Sequence, residues 1–176
     1  MIGGGYVGLV SGACFAEFGV EVALVETDPA RLAALREGRL PIYEPGLDKL
    51  VADNAAAGRL TFGADVNEAV TGAEAVFIAV GTPTRRGDGH ADLSYVFAAA
   101  EQVARALTDY AVIVTKSTVP VGTGRQIADI VRRARPGGAF DVASNPEFLR
   151  EGNAIGDFMR PDRVVIGAES ERARKI

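Results

Sequence analysis

Residues suited to phosphate, ribose and acid–base chemistry recur along this 176-residue chain at the ends of short apolar runs. Gly3-Gly4-Gly5-Tyr6-Val7-Gly8 carries a G-x-G-x-x-G pattern at Gly3, Gly5 and Gly8, with Tyr6 and Val7 inside the same turn. Glycines there permit a tight bend and close backbone approach to a pyrophosphate, which rests on the free N–H groups and positive dipole end of a helix N-terminus. Glu26 closes the next apolar run, where a carboxylate accepts hydrogen bonds from the hydroxyls of an adenosine ribose, or else simply begins a solvated loop. A 2′-phosphate beside Glu26 and Asp28 would meet two carboxylates, a repulsion on the order of 1 to 4 kcal/mol at surface dielectrics. The cofactor expected from these residues is therefore NAD. Arg31 lies one turn into the following helix, either near that adenosine or on a solvated face.

Further along, Thr82 and Thr118 each sit near a proline, Pro83 and Pro120, in a loop after an apolar run. Their hydroxyls could reach ribose or nicotinamide, or could satisfy backbone groups of their own turns. Glu147 and Glu151 stand at i and i+4 in Asn-Pro-Glu-Phe-Leu-Arg-Glu-Gly, a spacing that puts both on one side of a helical turn. Paired carboxylates beside a cofactor suit acid and base work. The same spacing also describes a charged surface helix with Arg150 as counter-ion. Cys14 falls among Ala13, Phe15 and Ala16, where a small packing residue is expected, and His90 falls in a solvated turn before an Asp92-capped helix.

To hold these groups together, short β-branched runs alternate with Ala-rich segments of helical length, the pattern of repeated βα units and a doubly wound parallel sheet. Strands are expected near 21–26, 59–62, 75–80, 111–116, 140–144 and 163–166. Helices are expected near 8–18, 29–37, 47–57, 92–107 and 122–134, with short ones near 66–70 and 153–159. Asp28-Pro29 reads as an N-cap and first turn, and Gly38, Gly58 and Gly72 read as helix stops. Ser170 to Ile176 reads as the opening of another helix. In open parallel sheets ligands bind beyond the carboxyl ends of the strands. The unusual residues fall in those loops: Gly3 to Gly8, Glu26 to Asp28, Gly81 to Pro83, Lys116 to Pro120 and Asn145 to Gly152.

Composition narrows the class. With 48% hydrophobic and 24% charged residues the chain can bury a core as one domain, and a net charge of −4 gives no general attraction to nucleic acid or anionic membrane. The longest apolar runs are strand-sized, well under the ~20 residues of a membrane span, and no basic segment followed by an apolar stretch opens the chain. The one cysteine, Cys14, excludes an internal disulfide framework and a cysteine-built metal site, and it fits a reducing cytoplasm; no metal is expected.

Together these segments resemble the UDP-glucose 6-dehydrogenase family, within the nucleotide-sugar dehydrogenases that include GDP-mannose dehydrogenase. The resemblance runs through GGGYVGLVSG at 3–12, GRLPIYEPGL at 38–47, GTPTRRGDGHADLSYV at 81–96, KSTVPVGTG at 116–124 and NPEFLREGNAIGDFMRPDRVVIG at 145–167. It implies a Rossmann-type α/β fold, with helices on both faces of the parallel sheet. It also implies oxidation of the C6 alcohol of UDP-glucose to the acid with two NAD, in homo-oligomers when full length. By that resemblance Gly3, Gly5, Tyr6, Val7, Gly8, Glu26, Arg31, Thr82, Thr118 and Glu151 contact NAD. Glu147, Phe148, Leu149, Arg150 and Glu151 line the sugar, and Thr118, Glu147 and Glu151 position or activate the hydrolytic water. GDP-mannose, another nucleotide sugar, or a dinucleotide-binding module without chemistry are the alternatives.

The family usually has Asp where Glu26 stands, and its Gly-x-Cys-Phe-Pro-Lys-Asp nucleophile segment matches nothing here. An N-terminal domain alone is therefore expected, and with only Met1 and Ile2 before the glycine turn its first strand is expected to be largely missing. Losing four buried aliphatic residues at ~1.5 to 3 kcal/mol each would remove most of the ~5 to 15 kcal/mol that stabilises a domain, so an isolated chain is expected to be marginal.

Overall fold

A computed structural model describes residues 1–85, 87 and 89–176. Arg86 and Asp88, part of the expected 81–96 motif, lie outside the described residues. Four- and five-residue segments, wholly apolar in β1 and β3, make five parallel strands: β1 (Val22–Val25), β2 (Leu60–Gly63), β3 (Ala75–Ile78), β4 (Ala111–Thr115) and β5 (Phe140–Ser144). β1 pairs with β2, and β3, β4 and β5 pair in that order. Ile2 joins the two groups, bridging in parallel to Val25 on one side and Ile78 on the other. Its N–H donates to the Phe77 carbonyl (2.7 Å) and its carbonyl accepts from Ala79 N–H (2.8 Å). The lane of the expected, largely missing first strand thus holds only the isolated bridges of Ile2, which is 5% exposed, with no strand formed there.

Alternation within the strands sends neighbouring residues to opposite cores. Val25, Val76, Ile78, Ala111 and Ile113 face α4 (Val66–Val70), α5 (Ser94–Ala106) and α6 (Thr123–Ala134). Leu24 and Leu60 face α1 (Tyr6–Glu17), α2 (Pro29–Arg36), α3 (Leu47–Ala56) and α7 (Ala154–Met159). β4 is buried at every position, as a central parallel strand must be. α5 buries Val96, Ala99, Ala100 and Val103, an i, i+3, i+4, i+7 stripe. The Asp28 carboxylate caps α2 through Ala30 and Arg31 N–H (2.9 Å each), and Gly38 (φ 76°) and Gly58 (φ 73°) end α2 and α3 as expected.

Two expectations fail near the C-terminus, and the helical turn on which the Glu147–Glu151 pairing depended does not form. The strand expected at 163–166 does not form: Val164, Val165 and Ile166 are exposed, and Asn145 Nδ2 holds the Val165 carbonyl (2.9 Å). Pairing begins only at β6 (Gly167–Ala168), and it is antiparallel to β5. Ser170 to Ile176 gives a single 3₁₀ turn over Ala173–Lys175, whose first N–H the Ser170 hydroxyl accepts (3.1 Å). Asn145 to Arg150 is not helical. Asn145 N–H continues the sheet by donating to Thr115 (2.9 Å), and Pro146 disfavours helix at the residue before it.

Candidate functional site at the carboxyl rim of the sheet

Because β1, Ile2, β3, β4 and β5 all run parallel, the segments that follow them emerge at one rim. At its centre lies the glycine turn. Gly3 has φ 111°, and a Cβ there would stand 2.7 Å from the Ala79 carbonyl oxygen. A Cβ on Gly8 would fall on the Gly3 carbonyl oxygen, so this glycine lets α1 pack tightly against its own entry strand. Gly5 is different: nothing lies within 4 Å of a Cβ there. It is the N-cap of α1 and gives no side-chain cap, so the first-turn amides of α1 have no capping side chain beside the open face of Gly5. Those two closed glycines and one open glycine fit a pyrophosphate seated on the helix N-terminus.

Beside it, Glu26 is only 7% exposed. One carboxylate oxygen accepts Asp28 N–H (2.9 Å), and the other would stand 2.8 Å from a Cβ on Gly4. The carboxylate is therefore fixed against the turn and does not trail into a solvated loop. Arg31 is exposed in the first turn of α2, its backbone N–H held by Asp28.

On the far side of the Ile2 lane, Thr82 is half-buried after β3 and Thr118 is exposed after β4. The hydroxyl between the two loops is that of Ser117, which donates to the Val80 carbonyl (2.7 Å) and ties the β4 loop to the β3 loop. Lys116 is 5% exposed; its Nζ donates to Asn145 Oδ1 (2.8 Å) and lies 5.3 Å from the centre of the Phe158 ring. Burial pushes its pKa below the usual lysine range, against the opposing charge of Glu147.

Glu147 and Glu151 are not brought together on a helical face. Glu147 is half-buried, accepts Leu149 N–H (2.5 Å), and lends its charge to Lys116. Glu151 is exposed and lends its charge to Tyr6, beside the glycine turn. Arg150 is counter-ion to neither. It binds Asp157 through its backbone N–H (2.9 Å), Nε (3.0 Å) and Nη2 (2.6 Å). Phe148 is exposed at 53% and Leu149 packs against the α1 core. Cys14 is fully buried, and burial, reinforced by the Glu17 charge, pushes its thiol up to about 12. His90 is exposed, and its carbonyl accepts Arg85 N–H (2.7 Å).

Sequence reasoning missed Glu44. It is 4% exposed in the loop before α3 and gathers three donors: Tyr6 hydroxyl (2.6 Å), Gly152 N–H (2.8 Å) and Ala154 N–H (2.8 Å). Burial alone would raise its pKa, but these hydrogen bonds hold the carboxylate below the usual range. Burial, then the bond and charge of Glu44, raise the Tyr6 phenol, which stays protonated as a donor. Nothing in the local sequence marks Glu44, because its donors Tyr6, Gly152 and Ala154 are too distant in the chain for spacing to reveal.

A groove of about 960 Å³ between α1, α7 and the sheet, lined by Phe15, Phe77, Val114 and Phe158, includes none of Gly3 to Gly8, Glu26, Thr82 or Thr118. No group of three or more His, Cys, Asp or Glu among the described residues could hold a metal, and no helix among them is long and apolar enough to cross a membrane.

The profile of the UDP-glucose/GDP-mannose dehydrogenase family, NAD binding domain, matches residues 1–176. The chain is 59% identical to the UDP-glucose 6-dehydrogenase of Rhizobium meliloti (strain 1021), covering 100% of this chain and 41% of the relative. It is 53% identical to that of Pseudomonas aeruginosa, covering 98% of this chain and 39% of the relative. Its fold overlays a UDP-glucose dehydrogenase from Pyrobaculum islandicum with TM-score 0.94 and 48% identity, over 99% of this chain and 41% of that one. A GDP-mannose dehydrogenase from Pseudomonas aeruginosa overlays with the same TM-score at 32% identity, with the same coverage. The chain spans about two fifths of the length of these relatives.

Proposed function

We infer the reaction from one premise: the chain belongs to the UDP-glucose/GDP-mannose dehydrogenase family, of which it forms the NAD-binding domain. The cofactor is NAD. The proposal is that this domain serves the oxidation of the C6 alcohol of UDP-glucose to the carboxylate, with two NAD reduced per sugar. The observation that carries it is the 59% identity to a UDP-glucose 6-dehydrogenase across the whole chain, with the open glycine, Gly5, and the fixed carboxylate, Glu26, in place. The lower identity to the GDP-mannose enzyme, 32%, favours the glucose nucleotide.

In this reading NAD supplies the hydride acceptor, and the chain's own residues bind and orient. Gly3, Gly5, Tyr6, Val7 and Gly8 form the pyrophosphate turn. Glu26 accepts from the adenosine ribose, with Arg31 above it. Thr82, Thr118 and Glu151 meet the dinucleotide on the other side of the Ile2 lane. Glu147 to Glu151 border the sugar, and Thr118, Glu147 and Glu151 orient water at its C6 carbon. A thiol nucleophile must come from outside these residues, because Cys14 is fully buried and its thiol is pushed up to about 12.

Two titrations test the proposal. The folded chain is expected to bind NAD saturably, and the whole protein that carries it to form NADH with UDP-glucose in preference to GDP-mannose. A chain folded by circular dichroism that binds no NAD would overturn the cofactor assignments. NADH formation with GDP-mannose alone would overturn the substrate, and NAD binding without NADH from either sugar would mark a binding module.

A further inference from the structure

Glu44 does more than satisfy a loop. Its carboxylate is shared by three segments far apart in sequence: the first helical residue after the glycine turn, Tyr6; the loop before α3 that carries it; and Gly152 and Ala154, which flank the start of α7. A buried carboxylate that accepts three donors is a charge-assisted junction, stronger than neutral hydrogen bonds and costly to leave half made. The two α7-side donors are backbone N–H groups, so the junction fixes main chain and not merely a rotamer. Glu151, immediately before Gly152, is near enough for its charge to act on the Tyr6 phenol.

We propose that Glu44 is a positioning residue for the dinucleotide site: bound to Tyr6, Gly152 and Ala154, it clamps the segment after β5 against the N-terminus of α1. This rests on the NAD reading above and names the device that brings the segment bearing Glu147 and Glu151 to the cofactor turn. The clamp acts on one half of the site only. Glu26 is fixed from its own side, by Asp28 N–H and by contact with Gly4, without help from Glu44. The Ile2 lane separates the ends of β1 and β2 from those of β3, β4 and β5. Adenosine contacts at Glu26 are therefore independent of Glu44, while contacts made by the rest of the dinucleotide with residues 147–152 depend on it.

The test uses Glu44→Gln and Tyr6→Phe, with NAD and AMP as probes and hydrogen exchange as a second readout, at a temperature where each variant is fully folded. Gln cannot accept from all the backbone donors that a carboxylate serves, since its amide nitrogen is itself a donor. Glu44→Gln is expected to weaken NAD by about tenfold or more while AMP stays within about twofold, and to speed exchange at Gly152 and Ala154 by about tenfold or more. Exchange at Val112 and Val114 in β4 should not change. Tyr6→Phe, which removes one of the three donors, should move both readouts in the same direction by less. Equal losses for NAD and AMP, or unchanged NAD affinity with unchanged exchange, would overturn the clamp. If the wild-type chain binds no NAD, the cofactor assignments fail, and the exchange arm alone still decides whether Glu44 holds the segment.

Discussion

Gly8 lies directly against Gly3: a Cβ on Gly8 would fall on the Gly3 carbonyl oxygen, whereas a Cβ on Gly5, three residues earlier, would touch nothing within 4 Å. Two glycines of one turn thus serve separate ends. Gly8→Ala must push α1 off its entry strand, at a cost of at least about 3 kcal/mol. In a domain of this size that lowers Tm by roughly 6 to 12 °C. Gly5 has φ −79°, which alanine adopts freely. The entropic gain of ~0.4 to 1 kcal/mol from Gly→Ala offsets the poorer N-cap, so folding should change by less than about 1 kcal/mol. The added methyl would occupy the approach to the helix N-terminus, so NAD affinity is expected to fall about tenfold or more. Thermal melts with NAD titrations of both variants check this, and equal melts for the two would refute it.

Glu26 and Asp28 place two carboxylates at the end of β1, with Glu26 held in place by Asp28 N–H. A phosphate on the ribose 2′-hydroxyl would approach both at a cost on the order of 1 to 4 kcal/mol. NADP is therefore expected to bind at least about tenfold more weakly than NAD, each 1.4 kcal/mol being a factor of ten. Glu26→Ser removes one of the two charges and should narrow that gap several-fold. Paired NAD and NADP titrations of wild type and variant decide it, and a gap untouched by Glu26→Ser would show that discrimination lies elsewhere.

Local physics made much of this legible in sequence. The Asp28 cap, the positive-φ glycines Gly38 and Gly58, and the short strands β1 to β5 depend on neighbours a few residues away, and each stands where periodicity put it. The clustering of odd residues after strands located the rim, because parallel strands leave every such loop at one end. What spacing could not give were partners across the fold. The i, i+4 spacing of Glu147 and Glu151 suited a helical turn, but Asn145 continues the sheet to Thr115, Pro146 follows it, no helix forms over 145–150, and Arg150 turns to Asp157. Val164 to Ile166 have strand-forming side chains, yet Asn145 captures Val165 in a loop and pairing waits until Gly167. Glu44 carried no local signal because its donors are at Tyr6 and Gly152.

Asp157 anchors the segment after β5 through Arg150, whose side-chain and backbone N–H bonds lower its pKa from 3.8 to about 2 against the opposing effect of burial. A depressed carboxylate contributes stability that is fully present above the unfolded pKa and is lost as pH falls through the folded one. The contribution should thus be intact above about pH 4 and disappear toward pH 2. Asp157→Asn lacks it throughout, so the variant should be less stable than wild type at neutral pH and converge on it near pH 2. Denaturant midpoints of both proteins across that range test the point, and a constant gap between them would contradict it.

Cys14 tests whether the core around α1 is closed. At pH 8 a thiol with pKa about 12 is ionised to about one part in ten thousand, against roughly a quarter for an ordinary cysteine near 8.5. Since the thiolate is the nucleophile and Cys14 is fully buried, labelling by iodoacetamide must await unfolding. In the folded chain it should be at least about a thousandfold slower than in denaturant and should accelerate with added denaturant in step with the unfolded population. Cys14→Ala removes a small buried group without touching the carboxyl rim, so it should cost only about 1 kcal/mol and leave NAD affinity within about twofold. Rapid labelling under native conditions, or loss of NAD binding in a folded Cys14→Ala variant, would mean that α1 opens far more readily than its packing allows.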